Sequence, residues 1–216
     1  MQTELLTYKT FTDLALARNL AAMLDDNGIE YMLDESVPII NRALVSTDKE
    51  YYLKIAAGDF TKVQQLQVEY ESEFVAEVEA DYYLFDFTVA ELMEIVTKPD
   101  EWSAFDYALA KKLLQEKGFD LSTPATAKLN NERLEELKKP EPSNTLWIVL
   151  GYIFAFGGGV IGFFIGWQLW KAKKTLPDGE QVYTYNDADR KNGKWIFILS
   201  ILGLLTGLYY KLIVSS

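Results

Sequence analysis

The residues best able to do chemistry in this sequence are carboxylates. Glu69, Glu71, Glu73, Glu77, Glu79 and Asp81 crowd one short stretch. Clustered carboxylates can hold a hard cation, but a calcium loop also needs a turn-forming glycine and ligands at loop spacing. This run has neither, so a solvated helix face or linker is the simpler reading. Asp187, Asp189 and Arg190 form a second polar group, and there a polar helix start is favoured over catalysis. The chain contains no cysteine and no histidine. That removes disulfides, thiolate chemistry, zinc sites built on sulfur or imidazole, and triads with an imidazole base. A carboxylate-only hydrolase is the remaining enzymatic option. No phosphate loop, dinucleotide fingerprint, nucleophile elbow or metal-binding helix occurs. The sequence therefore reads as non-enzymatic, with no catalytic, cofactor-binding or metal residue assigned and no cofactor expected.

Charge is distributed unevenly. Residues 1–144 carry 14 Lys and Arg against 28 Asp and Glu, whereas the remainder carries 7 basic and 4 acidic residues. So acidic a region argues against nucleic acid, which needs a basic face to neutralise phosphates. The opening MQTELLTYKT lacks the charged start, apolar core and small-residue cleavage site of a signal peptide. The acidic region is accordingly expected in the cytosol.

Its first seventy residues alternate strand and helix patterns. Glu4 to Lys9 reads as a strand, and Thr10 or Thr12 can cap a helix with Leu14, Ala17, Ala21 and Leu24 along one stripe. Asn27-Gly28 stops that helix. Ile29 to Leu33 and Glu50 to Ala56 read as strands, and Asp59 opens a second helix carrying Phe60, Val63, Leu66 and Tyr70. The expected fold is an α+β module of βαββα order, half-ferredoxin-like, with helices on one face of a small sheet. The join from Asp34 to Lys49 is long, and long ordered loops are often functional.

The segments LLTYKT, LDDNGIEYML and EYYLKIAAGDF resemble the small prokaryotic signal-transducing domain family, described as PII-like, over roughly Leu5 to Leu66. The resemblance implies a compact α/β module and a regulatory role. It brings no set of functional residues.

Beyond the acidic run, Thr88-Val-Ala-Glu91 is a capping box opening a short helix that Pro99-Asp100 ends. A helix from about Trp102 stops at Gly118, and Pro124 begins another that Pro140 and Pro142 terminate. The stretch from Tyr83 to Leu114 is similar to a helical extension of bacteroidete membrane proteins that carry such modules. Trp102 and Phe105 are expected to pack between helices rather than to bind a partner. The expected organisation is a module at 1–72, an acidic linker and helical segment at 73–143, and a two-helix transmembrane hairpin at 144–214.

That hairpin rests on two apolar runs. Trp147 to Trp170 is interrupted only by Gln168, and as one helix would reach about 35 Å, enough to cross a bilayer. Trp195 to Val214 is the second run. Gly158, Gly162 and Gly166 lie four apart, and Gly203 and Gly207 repeat the spacing, giving each helix a smooth packing face. Trp147, Trp170, Trp195, Tyr209 and Tyr210 fit two interfacial belts on an antiparallel pair. The polar loop 171–194 contains Pro177-Asp178-Gly179, a turn that can join Thr175-Leu176 to Gln181–Tyr183.

The loop also holds Lys171, Lys173, Lys174, Arg190, Lys191 and Lys194, which the positive-inside rule would keep in the cytosol. A two-span chain with a cytosolic module instead puts this loop outside. A re-entrant segment broken at Gly157-Gly158-Gly159 would remove the conflict. The sequence thus points to a two-pass protein of the bacterial inner membrane with a cytosolic acidic domain. Two roles suit it: a non-catalytic regulatory module, or a scaffold subunit assembled through its glycine-faced helices. The partners expected are the lipid bilayer and either a second copy or another membrane protein. No ligand can be named.

Overall fold

A computed structural model describes residues 4–36, 49–142, 145–157 and 159–214. The fold is mixed α and β, mostly helical, and divides into two compact units. The first comprises residues 1–136 with Leu176–Glu180, and the second residues 137–175 with 181–216.

The first unit opens with β1 (Leu5–Phe11), α1 (Leu14–Asp26), β2 (Tyr31–Glu35), β3 (Tyr51–Ala56) and α2 (Phe60–Phe74). β3 lies between β1 and β2 and is antiparallel to both. β1 and β2 therefore run parallel, with α1 as the crossover between them. Alternation along β3 sends Leu53 and Ile55 to a face where both are fully buried. They meet Ala17, Leu20, Ala21 and Leu24 of α1 and Phe60 and Val63 of α2. Burying a side chain of this size contributes about 1.5–3 kcal/mol, so this one face holds most of the module's cohesion. The opposite face carries Lys54 paired with Asp34 and half-exposed Met32, as expected of an antiparallel sheet wet on one side. The register slips at Tyr8, between Thr7 and Lys9, and Tyr8 packs on Phe60 and donates its hydroxyl to Gln67.

Several boundaries differ from expectation for local reasons. Asp13, not Thr10 or Thr12, caps α1, its carboxylate accepting from the Ala15 amide at 2.7 Å. Ile29 lies outside β2 because its N–H bonds back to Leu24 O in the helix stop around Gly28, whose φ is +63°. Asp59 precedes α2 but makes no side-chain capping bond. Residues 37–48 of the long join lie outside the described residues.

The expected boundary at residue 72 falls inside α2, because that helix has two jobs. Phe60, Val63 and Leu66 join the sheet core, while Val68 packs on a second core. The second core is built from α3 (Val89–Thr97) and α4 (Ala104–Glu116), with Leu84, Leu92, Ile95, Leu109 and Leu114 at its centre. Trp102 and Phe105 pack against this cluster. Thr88 and Glu91 form the reciprocal capping box at the start of α3. α5 (Thr123–Lys138) follows, tied to the α3–α4 turn by Arg133, which bonds both oxygens of Asp100 and one of Glu101. Of the acidic run, Glu69, Glu71 and Glu73 lie on α2, and Glu77 ends the short 3-10 turn after it. Among the described residues no cluster of three or more carboxylates is placed to hold a metal.

The second unit contains α6 (Thr145–Phe156), α7 (Val160–Lys171), the hairpin β4 (Lys173–Thr175) and β5 (Gln181–Tyr183), and α8 (Asp187–Val214). The run from Trp147 to Trp170 is not one helix, so of the two expected spans only α8 is long and apolar enough to cross a membrane among the described residues. Gly159 adopts φ +80°, a left-handed conformation that glycine takes without steric cost, and the chain reverses there. Twelve residues in each arm reach about 18 Å, well short of a 30 Å hydrocarbon core. α8 has 28 residues and rises about 42 Å.

Candidate membrane-inserted site

One described helix, Asp187–Ile213 within α8, is long and apolar enough to cross a membrane. Only 11% of its most apolar window is buried within the protein, unlike the core helix of a soluble domain. α6 and α7 fold into an antiparallel pair against it. Their outer surfaces are apolar and exposed, with Ile153, Phe156, Ile161 and Phe164 all more than half accessible.

Glycines set the spacing of these helices. A Cβ placed on Gly162 would stand 2.7 Å from the Ala155 amide nitrogen and 2.6 Å from Ser200 Oγ. On Gly166 it would stand 2.5 Å from the Phe197 amide nitrogen, and on Gly193 2.7 Å from that of Trp170. Gly203 faces Ala155 O at 2.9 Å on the same construction. Backbones this close gain dispersion contacts that larger side chains would prevent. Gly207 has open space around it and takes no part. Gly158 lies outside the described residues. Gly151, against Ile196 and Ile165, completes the contact, as do Gly159 and Gly193. Gly193 was hard to foresee because its neighbours are Asn192 and Lys194, which read as loop.

The serine at the centre of this cluster is satisfied. Ser200 is fully buried and donates its hydroxyl to Ile196 O at 2.8 Å. At the reversal, Gly157 N–H reaches Ile153 O and Gly159 N–H reaches Phe154 O, both at 3.0 Å. The second is the six-to-one bond of a Schellman-type stop, and it gives the amide at the reversal a carbonyl partner within the chain.

The contacts also fix axial levels. Gly151 opposes Ile196 and Tyr152 donates to Asn192, so the start of α6 lies beside the start of α8. Trp170 lies beside Gly193. Trp147, Trp170 and Trp195 therefore share one end of the cluster, and Trp147 does not pair with Tyr209 and Tyr210 as the two-belt expectation had it. Those tyrosines are exposed about 24 Å further along α8, measured from Gly193. The reversal at Gly159 is level with Ser200 and Leu204, partway along α8.

Cations gather at the tryptophan end. Lys171 and Lys194 place their ammoniums 4.2 and 5.9 Å from the centre of the Trp170 ring. Lys173 and the Arg190 guanidinium lie 5.5 and 3.3 Å from the Tyr183 ring. Lys174 instead donates to Lys139 O, and Glu141 N–H to Thr184 O, so the chain entering α6 is bonded to the strands that leave α7. The expected β-hairpin is present, with Gly179 at φ +85° in its turn. The start of α8 is less solvated than expected: Asp189 is buried and accepts from the Asn186 side chain at 2.8 Å.

In the first unit, an open cleft of about 570 Å³ lies between α2, α4 and α5, lined by Gln64, Ser72, Tyr107, Lys111 and Asn130 among others. The Asn130 Oδ1 is buried there and accepts no hydrogen bond. Nearby, Tyr82 donates to Asp106 at 2.8 Å, and Asp106 also accepts from Ser103. Burial first, and that bond second, push the Tyr82 phenol up to about 12. Comparison with protein families, curated proteins and solved structures returns no match for this chain.

Proposed function

We propose that this chain is a membrane-anchored, non-catalytic regulatory module. The observation that carries the membrane part is the second unit itself. An apolar α8 is packed through glycines against two apolar half-length helices whose outer faces are exposed among the described residues. Exposed apolar surface on this scale marks a membrane or partner site. In this reading α8 alone spans, while α6 and α7 form a re-entrant pair that enters and leaves on one side. The positive loop 171–194 then lies on the side from which α6 enters, and the positive-inside rule makes that side the cytosol of a bacterial cell.

The regulatory part is supported by four things. The strand order β1-β3-β2 with its crossover helix suits a half-ferredoxin-like βαββα module, and the stretch Leu5–Leu66 resembles the small signal-transducing domains. The carboxylates Glu91, Asp100 and Asp106 are occupied in caps and ion pairs. The cleft between α2 and α4 gives the module a place for a small polar ligand. A scaffold role is the second reading, favoured by the exposed outer faces of α6 and α7, which a partner helix or a second copy could cover.

Affinity purification of the full chain in mild detergent separates the two. Recovery as an isolated protein supports the regulator, and a fixed-ratio complex with another membrane protein replaces it with the scaffold.

A further inference from the structure

Most basic residues at the tryptophan end have no acid paired with them among the described residues. Lys171 ends α7 and Lys194 lies in α8. Gly193 comes close to the Trp170 backbone, and the two ammoniums lie 4.2 and 5.9 Å from the centre of that one indole ring. Two ammoniums on one ring repel each other, and the ring's quadrupole offsets only part of that. Among the described ion pairs none engages Lys171, Lys173, Lys191 or Lys194. Arg190 pairs with Asp187 through one nitrogen, but its Nε is buried without an acceptor. This occurs in a chain of net charge −11, where carboxylates are plentiful. The arrangement is thus short of an anion.

We propose that these cations bind the phosphate of an anionic phospholipid headgroup, with Lys171 and Lys194 as its principal ligands and Lys173 and Arg190 beside them. The inference rests on the membrane reading above. The depth of the site selects a lipid as the source of the phosphate. Trp147, Trp170 and Trp195 share its level, the position that amphipathic rings take among headgroups. Directly beyond it lie the exposed apolar faces of α6, α7 and α8, along which acyl chains can run. A free phosphate ion would find the cations but leave those faces unused.

The test uses the full chain in neutral-detergent micelles, titrated with phosphatidylglycerol or phosphatidylcholine, with retained lipid read by native mass spectrometry. Phosphatidylglycerol is expected to be retained at lower concentration. The Lys171→Gln/Lys194→Gln variant should weaken that retention about 25-fold, at roughly fivefold per cation, and leave phosphatidylcholine unaffected. Lys62→Gln/Lys117→Gln, which removes the same charge from the first unit, should behave as the parent. Equal retention of the two lipids, or an unchanged double variant, overturns the proposal. So does competition by inorganic phosphate at the concentration at which phosphatidylglycerol binds, which would make the site one for the free ion. Failure of the underlying reading has a separate signature: the chain would be stripped from cell membranes by an alkaline carbonate wash.

Discussion

Gly166 of α7 and Phe197 of α8 lie backbone against backbone, so near that a single added carbon would stand 2.5 Å from the Phe197 amide nitrogen. No rotamer change can relieve such a clash, because the opposing atoms belong to a helix backbone.

Gly166→Leu and Gly162→Leu should therefore separate α7 from its neighbours. Overpacking of this kind costs about 1–3 kcal/mol. The expected result is a lower thermal midpoint in detergent and loss of crosslinking between cysteines introduced on α7 and α8. Gly207→Leu, in open space, and Ile161→Leu, on the exposed face, should match the parent. If all four variants behave alike, glycine contacts do not hold the cluster.

The re-entrant arrangement predicts a labelling pattern in a chain that has no cysteine of its own. Cysteines at Thr145 and Asp178 should react from the same side of a sealed membrane, and one at Lys211 from the other. A two-pass chain would instead group Thr145 with Lys211. The impermeant-reagent pattern decides between them.

Tyr82 should ionise late. Its phenol is pushed up to about 12, from an unfolded value near 10. A folded pKa raised above the unfolded one contributes stability that is complete below pH 10 and lost as pH climbs toward 12. The difference in tyrosinate absorbance between the parent and Tyr82→Phe should isolate this titration. The variant should also lose about 0.5–1.5 kcal/mol at neutral pH with the Asp106 hydrogen bond. A Tyr82 that titrates near 10 would mean that its phenol is neither buried nor bonded to Asp106.

Arg133 is the strongest tie on α5. Its side chain is 11% exposed and contacts Asp100, Glu101 and Glu136. Arg133→Ala should cost about 2 kcal/mol in chemical denaturation, as bonds to charged groups do. Lys98→Ala, which removes an exposed pair with Glu94, should cost about 0.3–0.5 kcal/mol. Equal costs would place Arg133 among ordinary surface charges.

The two cores on α2 make a prediction about fragments. A chain ending at residue 72 keeps Phe60 and Val63 seated but leaves Val68 without its partners and lacks Val75. It should melt well below a fragment of residues 1–136, with a broader transition. A fragment 1–72 as stable as the longer one would show the sheet core to be self-sufficient.

Local features of this fold were legible where one residue type suffices to specify them. Leu53 and Ile55 alternate with Tyr52 and Lys54 as a half-wet strand must. Thr88 and Glu91 announce a capping box, and Pro177-Asp178-Gly179 announces a turn. The break in the longest apolar run was legible only as an alternative. Glycine lets two helices touch and also lets a chain reverse, so Gly159, which does both, looks in sequence like Gly162, which only packs. Asp100 and Glu101, which Arg133 bonds, and Asp106, which Tyr82 bonds, lie more than twenty residues from them, beyond any local pattern. The cation cluster was visible as composition, but its organisation around Trp170 depends on how closely Gly193 lets two helices approach.

The reversal at Gly159 has a mechanical consequence. From the tryptophan level to about Leu204 the unit presents three helices in cross-section, and from there to Val214 only one. At about 10 Å per helix diameter, that taper makes this second unit a wedge. Set in a bilayer with the hairpin in one leaflet, it displaces more lipid from that leaflet than from the other. Such an inclusion is relieved where the membrane bows toward the crowded side. Curved regions would then collect this protein without any contact dedicated to sensing shape.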